Sequence, residues 1–157
     1  MTSYEVIDAV CDSVSPVLFF IALGLLLKQT RTGLGRARAG LLFLLAGLGL
    51  VYGFMYLDKA LGLWASFGGD YSTHTAFALV VSLSIVWSSN KKLLTWVVFG
   101  IYLALMRYQQ YHSFLDMGTT ILAVGLPLVL FARYVCRLGT PGQSHTAASE
   151  DSVSPST

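Results

Sequence analysis

Charged residues are scarce in this chain of 157 residues. Lys, Arg, Asp and Glu together make up 11% of it, against about 25% in an average soluble domain. So few charges cannot cover a water-facing surface, which excludes a soluble enzyme. The hydrophobic share of 55% excludes a disordered protein. Two cysteines are too few for a disulfide scaffold.

The chain is rich in apolar residues, which form long runs. Its mean hydropathy is +0.66, and one bilayer crossing takes about 20 residues, so there is room for five crossings. A formal net charge of +2 is too small to suggest a nucleic-acid partner. We therefore expect a protein that is integral to a membrane.

Apolar runs separated by short polar patches predict five helices. They are expected at 13–28, 39–57, 74–89, 93–111 and 116–136. The predicted fold is all-α: a polytopic transmembrane helix bundle formed by residues 13–138. An extracytoplasmic segment, 1–12, precedes the bundle. A disordered cytoplasmic tail, 139–157, follows it, because that stretch lacks apolar periodicity.

Basic residues set the expected orientation, because Lys and Arg near helix ends stay on the cytoplasmic side. Eight of the ten fall on one predicted side: Lys28, Arg31, Arg36, Arg38, Lys91, Lys92, Arg133 and Arg137. The other two, Lys59 and Arg107, fall on the opposite side with six of the eight acidic residues. We expect a multi-pass protein of a bacterial inner membrane, with its N-terminus outside and its C-terminus in the cytoplasm.

Gly49 and Gly53 form a small-xxx-small pair in a glycine-rich second helix. Such a pair lets another helix approach closely. We expect it to serve packing within the bundle. The alternative is a contact between two copies of the chain, which would make the protein a homo-oligomer.

Two histidines and an aspartate are the strongest candidates for chemistry, because ionisable residues at a membrane boundary are costly and usually functional. His112 and Asp116 stand at the junction of the fourth and fifth helices. Positions i and i+4 share a helix face, so Asp116 is expected to hydrogen-bond one nitrogen of His112. That bond would orient His112 as a nucleophile or base.

His74 is expected at the N-terminus of the third helix, where unpaired N–H groups favour an anion such as phosphate. Ser72 or Thr73 can cap that helix. Lys59 and Arg107 lie on the same predicted side and supply the cations that a transferring phosphoryl group needs. We find no metal-ligand spacing, although His74, His112 and Asp116 together form an alternative, incomplete metal site.

Two short motifs in this region resemble those of a known family. Tyr-Ser-Thr-His at 71–74 resembles the Pro-Ser-Gly-His motif of the type 2 phosphatidic acid phosphatase superfamily, which comprises membrane lipid phosphatases. His112 and Asp116 match its His-xxx-Asp motif. The stretch 69–75 is also similar to the Gly-Asp-…-Ser-Gly-His-Thr segment of sphingomyelin synthases. The resemblance covers about residues 56–136.

The chain departs from the family at several motif positions. Tyr71 and Thr73 replace the family's Pro and Gly. Of the family's Lys-xxxxxx-Arg-Pro motif, Lys59 alone is matched. Arg107 precedes His112 by five positions where the family has six, and one residue turns a helix by about 100°.

The resemblance implies a reaction and a role for each residue. His112 would attack phosphorus and form a phosphohistidine while Asp116 holds its tautomer, and His74 would protonate the departing alkoxide. The residues expected to bind the substrate phosphate are Lys59, Arg107, Ser72 and Thr73, with Asp70 and Tyr71 in support. Neither a metal nor another cofactor is required. The expected partner is a phosphorylated membrane lipid of the phospholipid or polyprenyl phosphate type.

Three functions are therefore open at this point. The first is a lipid phosphatase that hydrolyses a phosphate or pyrophosphate headgroup at the outer face of the membrane. The second is a lipid phosphotransferase that moves a phospho-headgroup to an alcohol acceptor. The third is a non-catalytic lipid-binding scaffold, which the altered motif positions favour.

Overall fold

The computed structural model describes residues 3–31, 33–89 and 91–138, and the predicted tail at 139–157 lies outside them. Within these residues the chain is all-α, with five helices and no β-strand, which confirms the predicted helical fold and helix number. The helices are α1 (Ser3–Gln29), α2 (Leu34–Leu61), α3 (Thr73–Ser88), α4 (Lys92–Tyr108) and α5 (Phe114–Leu138).

Helix boundaries differ most from the prediction at α1 and α2. One continuous helix runs from Ser3 to Gln29, so no break separates residues 1–12 from the first apolar run. α2 begins at Leu34 because Arg36 and Arg38 are good helix formers, and a basic patch does not end a helix. It ends at Leu61 and is capped by Gly62, which adopts the left-handed conformation (φ 62°) that glycine takes without strain.

The central element is α3, which packs against each of the other four helices. It is also the shortest, with 16 residues. Small side chains let its neighbours come close on several sides: Ala76, Ala78 and Ser82 are all fully buried. On α2, Gly47 lies directly against Val80 of α3.

The predicted packing role of Gly49 and Gly53 is wrong. No atom of another described helix lies within 4 Å of a Cβ placed on either residue. The close contacts of α2 are made instead by Gly40, against Leu26 of α1, and by Gly47. The apolar face of α2 that packs inwards is therefore a different one, and a contact between two copies through Gly49 and Gly53 stays a prediction.

The segment 62–72 between α2 and α3 folds back onto the helices. It contains one 3-10 turn, Ala65–Phe67. The Trp64 backbone N–H donates to Asp58 Oδ1 (2.8 Å), and the Trp64 indole donates to Thr119 Oγ1 (2.9 Å). The segment is thus tied to both α2 and α5, and Trp64 is buried in the core.

Among the described residues, two stretches are long and apolar enough to cross a membrane, judged by length and composition: Leu34–Leu61 and Phe114–Tyr134. Two shorter stretches, Ser13–Gln29 and Thr73–Ser88, are also apolar.

Replacing Gly47 by Ala should destabilise the protein. The new Cβ would lie 2.5 Å from Val80 Cγ1, and a β-branched side chain cannot turn aside easily. We expect the free energy of unfolding to fall by about 1–3 kcal/mol. Gly49→Ala is the matched control, and its free energy of unfolding should stay constant or rise by about 1 kcal/mol. Denaturant unfolding followed by circular dichroism measures both, and equal losses would contradict the assigned packing.

Candidate active site

Two loops, 62–72 and 109–113, meet at one end of the helices through the carboxylate of Asp116. Its Oδ1 accepts the backbone N–H of Asp70 (2.8 Å), and its Oδ2 accepts the backbone N–H of Ser113 (2.7 Å). In return, Ser113 Oγ accepts the backbone N–H of Asp116 (3.2 Å). This reciprocal pair is a capping box that starts α5. Asp116 is a buried residue, and both of its hydrogen bonds are partly buried.

Gly69 is the residue that lets the first loop approach Asp116. A Cβ at this position would lie 3.1 Å from Asp116 Oδ1 and 2.9 Å from Phe67 Cε2. Both distances are tighter than ordinary contacts, so a larger residue would need the Phe67 ring and the Asp116 carboxylate to shift. A shift of the carboxylate would disturb its bond with the N–H of Asp70.

The structure does not show the predicted hydrogen bond between Asp116 and His112. α4 ends at Tyr108 and α5 begins at Phe114, so His112 lies outside both helices and the i, i+4 spacing does not apply. Nδ1 of His112 is buried without a hydrogen-bond partner in the described part of the chain. The carboxylate oxygen that faces it is Oδ2 of Asp70, at 3.8 Å.

The surroundings of His112 keep its imidazole neutral. Burial lowers the pKa of His112 below the ordinary histidine value, Asp70 and Asp116 oppose that shift, and the charge of His74 adds to it. The imidazole is therefore unprotonated at neutral pH, as a nucleophile must be. Because His74 lies at the start of α3 and His112 lies just before α5, the two residues are at the same end of the helices.

His74 is the second residue of α3 and is exposed. Ser72 caps this helix as expected: its Oγ accepts the N–H of Thr75 (3.3 Å) and donates to Thr75 Oγ1 (2.8 Å). Ser72 is fully buried, and its N–H donates to Thr120 Oγ1 (3.2 Å). The predicted phosphate contact of the Ser72 hydroxyl is not compatible with this burial, whereas Thr73 is half-buried and lies beside His74.

An apolar groove of about 380 Å³ begins at His74 and Thr73. Its other lining residues come from α1, α2 and α3: Ser15, Pro16, Phe19, Phe20, Tyr52 and Phe77. Tyr52 lies nine residues before the end of α2 at Leu61, which is about 13 Å along the helix axis. The exposed histidine is therefore recessed below the end of the longest helix.

The predicted supporting residue Tyr71 holds the loop in place. Its hydroxyl donates to the backbone carbonyl of Val51 (3.0 Å), and its ring packs edge-on against Trp64 with centroids 4.8 Å apart. Burial, reinforced by the nearby Asp58, raises the pKa of Tyr71. Tyr71 thus stays a neutral hydrogen-bond donor. Its bond to Val51 fixes the start of α3 relative to α2.

The two predicted phosphate-binding cations lie in different places. Lys59 is exposed in the last turn of α2, two turns beyond Tyr52 on the same face. The guanidinium of Arg107 lies over the ring of Phe114, 5.5 Å from its centroid. Arg107 lines a second cavity, of about 430 Å³ between α4 and α5, and not the groove at His74.

Within 3–31, 33–89 and 91–138, no three His, Cys, Asp or Glu side chains are grouped so that they could hold a metal ion. The alternative metal site at His74, His112 and Asp116 therefore has no support from the geometry.

Ser113 is the residue at this site whose role the sequence analysis missed. The pattern Ser-x-x-Asp at 113–116 is a capping-box signature and could have revealed it. The partners Thr119 and Thr120 carried no such signal, because they bond to residues 55 and 48 positions away.

Comparison with protein-family models, with curated proteins and with solved structures gave no match for this chain.

Replacing Asp116 by Ala should lower stability far more than replacing Asp70. The first change removes two charge-assisted hydrogen bonds that join the loops, and we expect the free energy of unfolding to fall by about 3 kcal/mol. Asp70 contributes its backbone to that bond, and its side chain is 75% exposed, so Asp70→Ala should change stability by about 0.5 kcal/mol or less. Thermal unfolding of both variants checks this, and similar losses would show that Asp116 does not join the loops.

Proposed function

We propose that this protein is an integral membrane lipid phosphatase that cleaves a phosphate or pyrophosphate headgroup through a phosphohistidine on His112. The observation that carries the proposal is that one end of the helices holds both a partly buried histidine whose surroundings favour the neutral imidazole and an exposed histidine that lines an apolar groove. A neutral imidazole is a competent nucleophile, and a second histidine can serve as the acid and base that phosphoryl transfer needs.

The surface of the helices supports a membrane location. Many large apolar side chains are exposed, including Leu93 (80%), Phe114 (73%) and Phe20 (69%). Patches of this kind are unfavourable in water but are matched by lipid. α2 has 28 residues and is about 42 Å long, which exceeds a hydrocarbon core of about 30 Å. We infer a multi-pass protein whose five helices lie in the bilayer.

The charge distribution supports one orientation. Basic residues cluster where α1 meets α2 and where α3 meets α4, while the candidate site lies at the opposite ends of these helices. By the positive-inside rule the basic end is cytoplasmic. We therefore place the site at the periplasmic face of a bacterial inner membrane, with the C-terminus in the cytoplasm.

The proposed first step is an in-line attack by Nε2 of His112 on phosphorus. An N–P bond forms, the P–O bond to the lipid alcohol breaks, and His74 gives its proton to the departing oxygen. In the second step His74 takes a proton from water, the water oxygen attacks phosphorus, and the N–P bond breaks. The products are the lipid alcohol and inorganic phosphate, and His112 is returned unchanged.

The phosphate would lie over the first turn of α3, where backbone N–H groups and the helix dipole favour an anion. Thr73 lines this position. Lys59 stands above it, at the rim of the recess, where its charge attracts an anionic headgroup. Because Arg107 lines the other cavity, we assign it no phosphate contact.

The groove supports a lipid as the substrate. Its aromatic lining from α1 and α3 suits a hydrocarbon chain of a phospholipid or a polyprenyl phosphate, with the phosphate at His74. A phosphotransferase would use the same groove and the same phosphohistidine, with an alcohol in place of water. Incubation of the purified protein with a panel of lipid phosphates tells these apart, because hydrolysis releases phosphate and transfer makes a new headgroup.

A phosphoenzyme-trapping experiment should distinguish the roles of the two histidines. His112→Ala removes the nucleophile, so no acid-labile phosphoprotein should form from a labelled aryl phosphate. His74→Ala should still become labelled, because an aryl leaving group needs no proton, while turnover of an alkyl phosphate falls by about 10²–10⁴. The reverse pattern would exchange the two roles. Unchanged turnover in both variants would rule out the roles assigned to the histidines, and the absence of turnover and labelling in the unaltered protein would leave the non-catalytic lipid-binding scaffold as the explanation.

Truncating a side chain that lines the groove should lower the activity toward long-chain substrates alone. For Phe20→Ala we expect kcat/KM for a long-chain alkyl phosphate to fall by about tenfold, since an aromatic contact is lost. The value for a short-chain phosphate should stay constant. Leu93→Ala removes a more exposed side chain outside the groove and is the control. Equal losses for both chain lengths would argue against a chain-binding groove.

A further inference from the structure

The two carboxylates at the site do different work. Both oxygens of Asp116 are taken up by backbone N–H groups, and the residue is 7% exposed. The side chain of Asp70 is 75% exposed, and its Oδ2 lies 3.8 Å from Nδ1 of His112. That nitrogen is buried and has no hydrogen-bond partner among the described residues. The carboxylate that faces the imidazole is therefore the exposed one.

A carboxylate at this distance acts on the imidazole through its charge. A separation of 3.8 Å is too long for a hydrogen bond but within the range of an ion pair. The negative charge favours a proton on the nitrogen that faces it, so Nδ1 carries the N–H and Nε2 keeps its lone pair. The attraction grows when the imidazole becomes positive, as it does when Nε2 bonds to phosphorus.

We propose that Asp70, and not Asp116, is the carboxylate that positions the imidazole of His112, while Asp116 holds Asp70 in place through its backbone. The use of this pair in phosphoryl transfer rests on the function proposed above. The N–H of Asp70 is bonded to Asp116 (2.8 Å), so the backbone from which the Asp70 side chain extends is fixed relative to α5. The charged groups that act on His112 are Asp70, Asp116 and His74.

The test is a nuclear magnetic resonance titration of the full chain with isotope-labelled histidine, which is practical because the chain has three histidines. Asp70→Asn should shift the pKa of His112 downwards and reduce the share of the Nδ1–H tautomer, as read from the ring nitrogens. High salt should shrink the difference from the unaltered protein, because an exposed charge is screened. Asp70→Glu should restore part of both signals.

Two matched variants distinguish a role of Asp70 in positioning His112 from a role in stabilising the fold. Asp58→Asn changes another carboxylate of the same region, one that is bonded to Trp64, and should leave the His112 titration unmoved. Asp116→Asn should lower the unfolding midpoint but shift the pKa of His112 less than Asp70→Asn does. In the phosphoenzyme assay Asp70→Asn should slow labelling of His112 by about threefold, the size expected of one partly exposed charge pair.

A titration of His112 that is unmoved in Asp70→Asn, or moved more by Asp116→Asn, overturns the proposal. The titration needs no substrate, so its outcome is independent of whether the protein is a phosphatase. Absence of any phosphoenzyme together with the expected Asp70→Asn shift would remove the proposed reaction and leave the positioning of His112 by Asp70 supported.

Discussion

The carboxylate of Asp116 is the constraint on which the rest of the site depends. It joins the backbone N–H groups of Asp70, before α3, and Ser113, before α5, which are far apart in the sequence. A buried carboxylate is costly unless its oxygens are satisfied, and here each one accepts an N–H. The same bonds cap α5 and fix the loop that leads into α3. The alternating helices bring His74 and His112 to one end of the molecule, and the bonds to Asp116 fix the two loops at that end relative to each other.

The helices could be predicted from the sequence because apolar runs are a local signal, and all five were found. The residues through which the helices pack against one another could not be predicted in this way. Gly49 and Gly53 have the spacing of a packing motif, yet Gly40 and Gly47 make the contacts, since the face that a helix turns inwards depends on all its neighbours. Likewise, the hydrogen bond between Trp64 and Thr119 joins residues that are 55 positions apart, so no local sequence pattern predicts it.

The sequence predicted which residues lie at the site better than it predicted the hydrogen bonds among them. Alternating helices bring both loops to one end, so the grouping of Asp70, His74 and Asp116 followed from topology. The pairing of Asp116 with His112 assumed a continuous helix across residues that form a loop. Ser113 lies closer in sequence to Asp116 and competes for it with a capping box, and that local bond prevails.

The short central helix leaves room for the loop that carries Asp70. α3 has 16 residues and is about 24 Å long, so it falls short of α2 and leaves a recess that the loop 62–72 enters. Burial makes the charged form of His112 unfavourable, which favours the neutral imidazole. The side chain of Asp70 points out to water, where a carboxylate keeps its charge at little cost. In the reaction that we propose, the positive charge that develops on His112 would be balanced by a carboxylate that stays exposed to water.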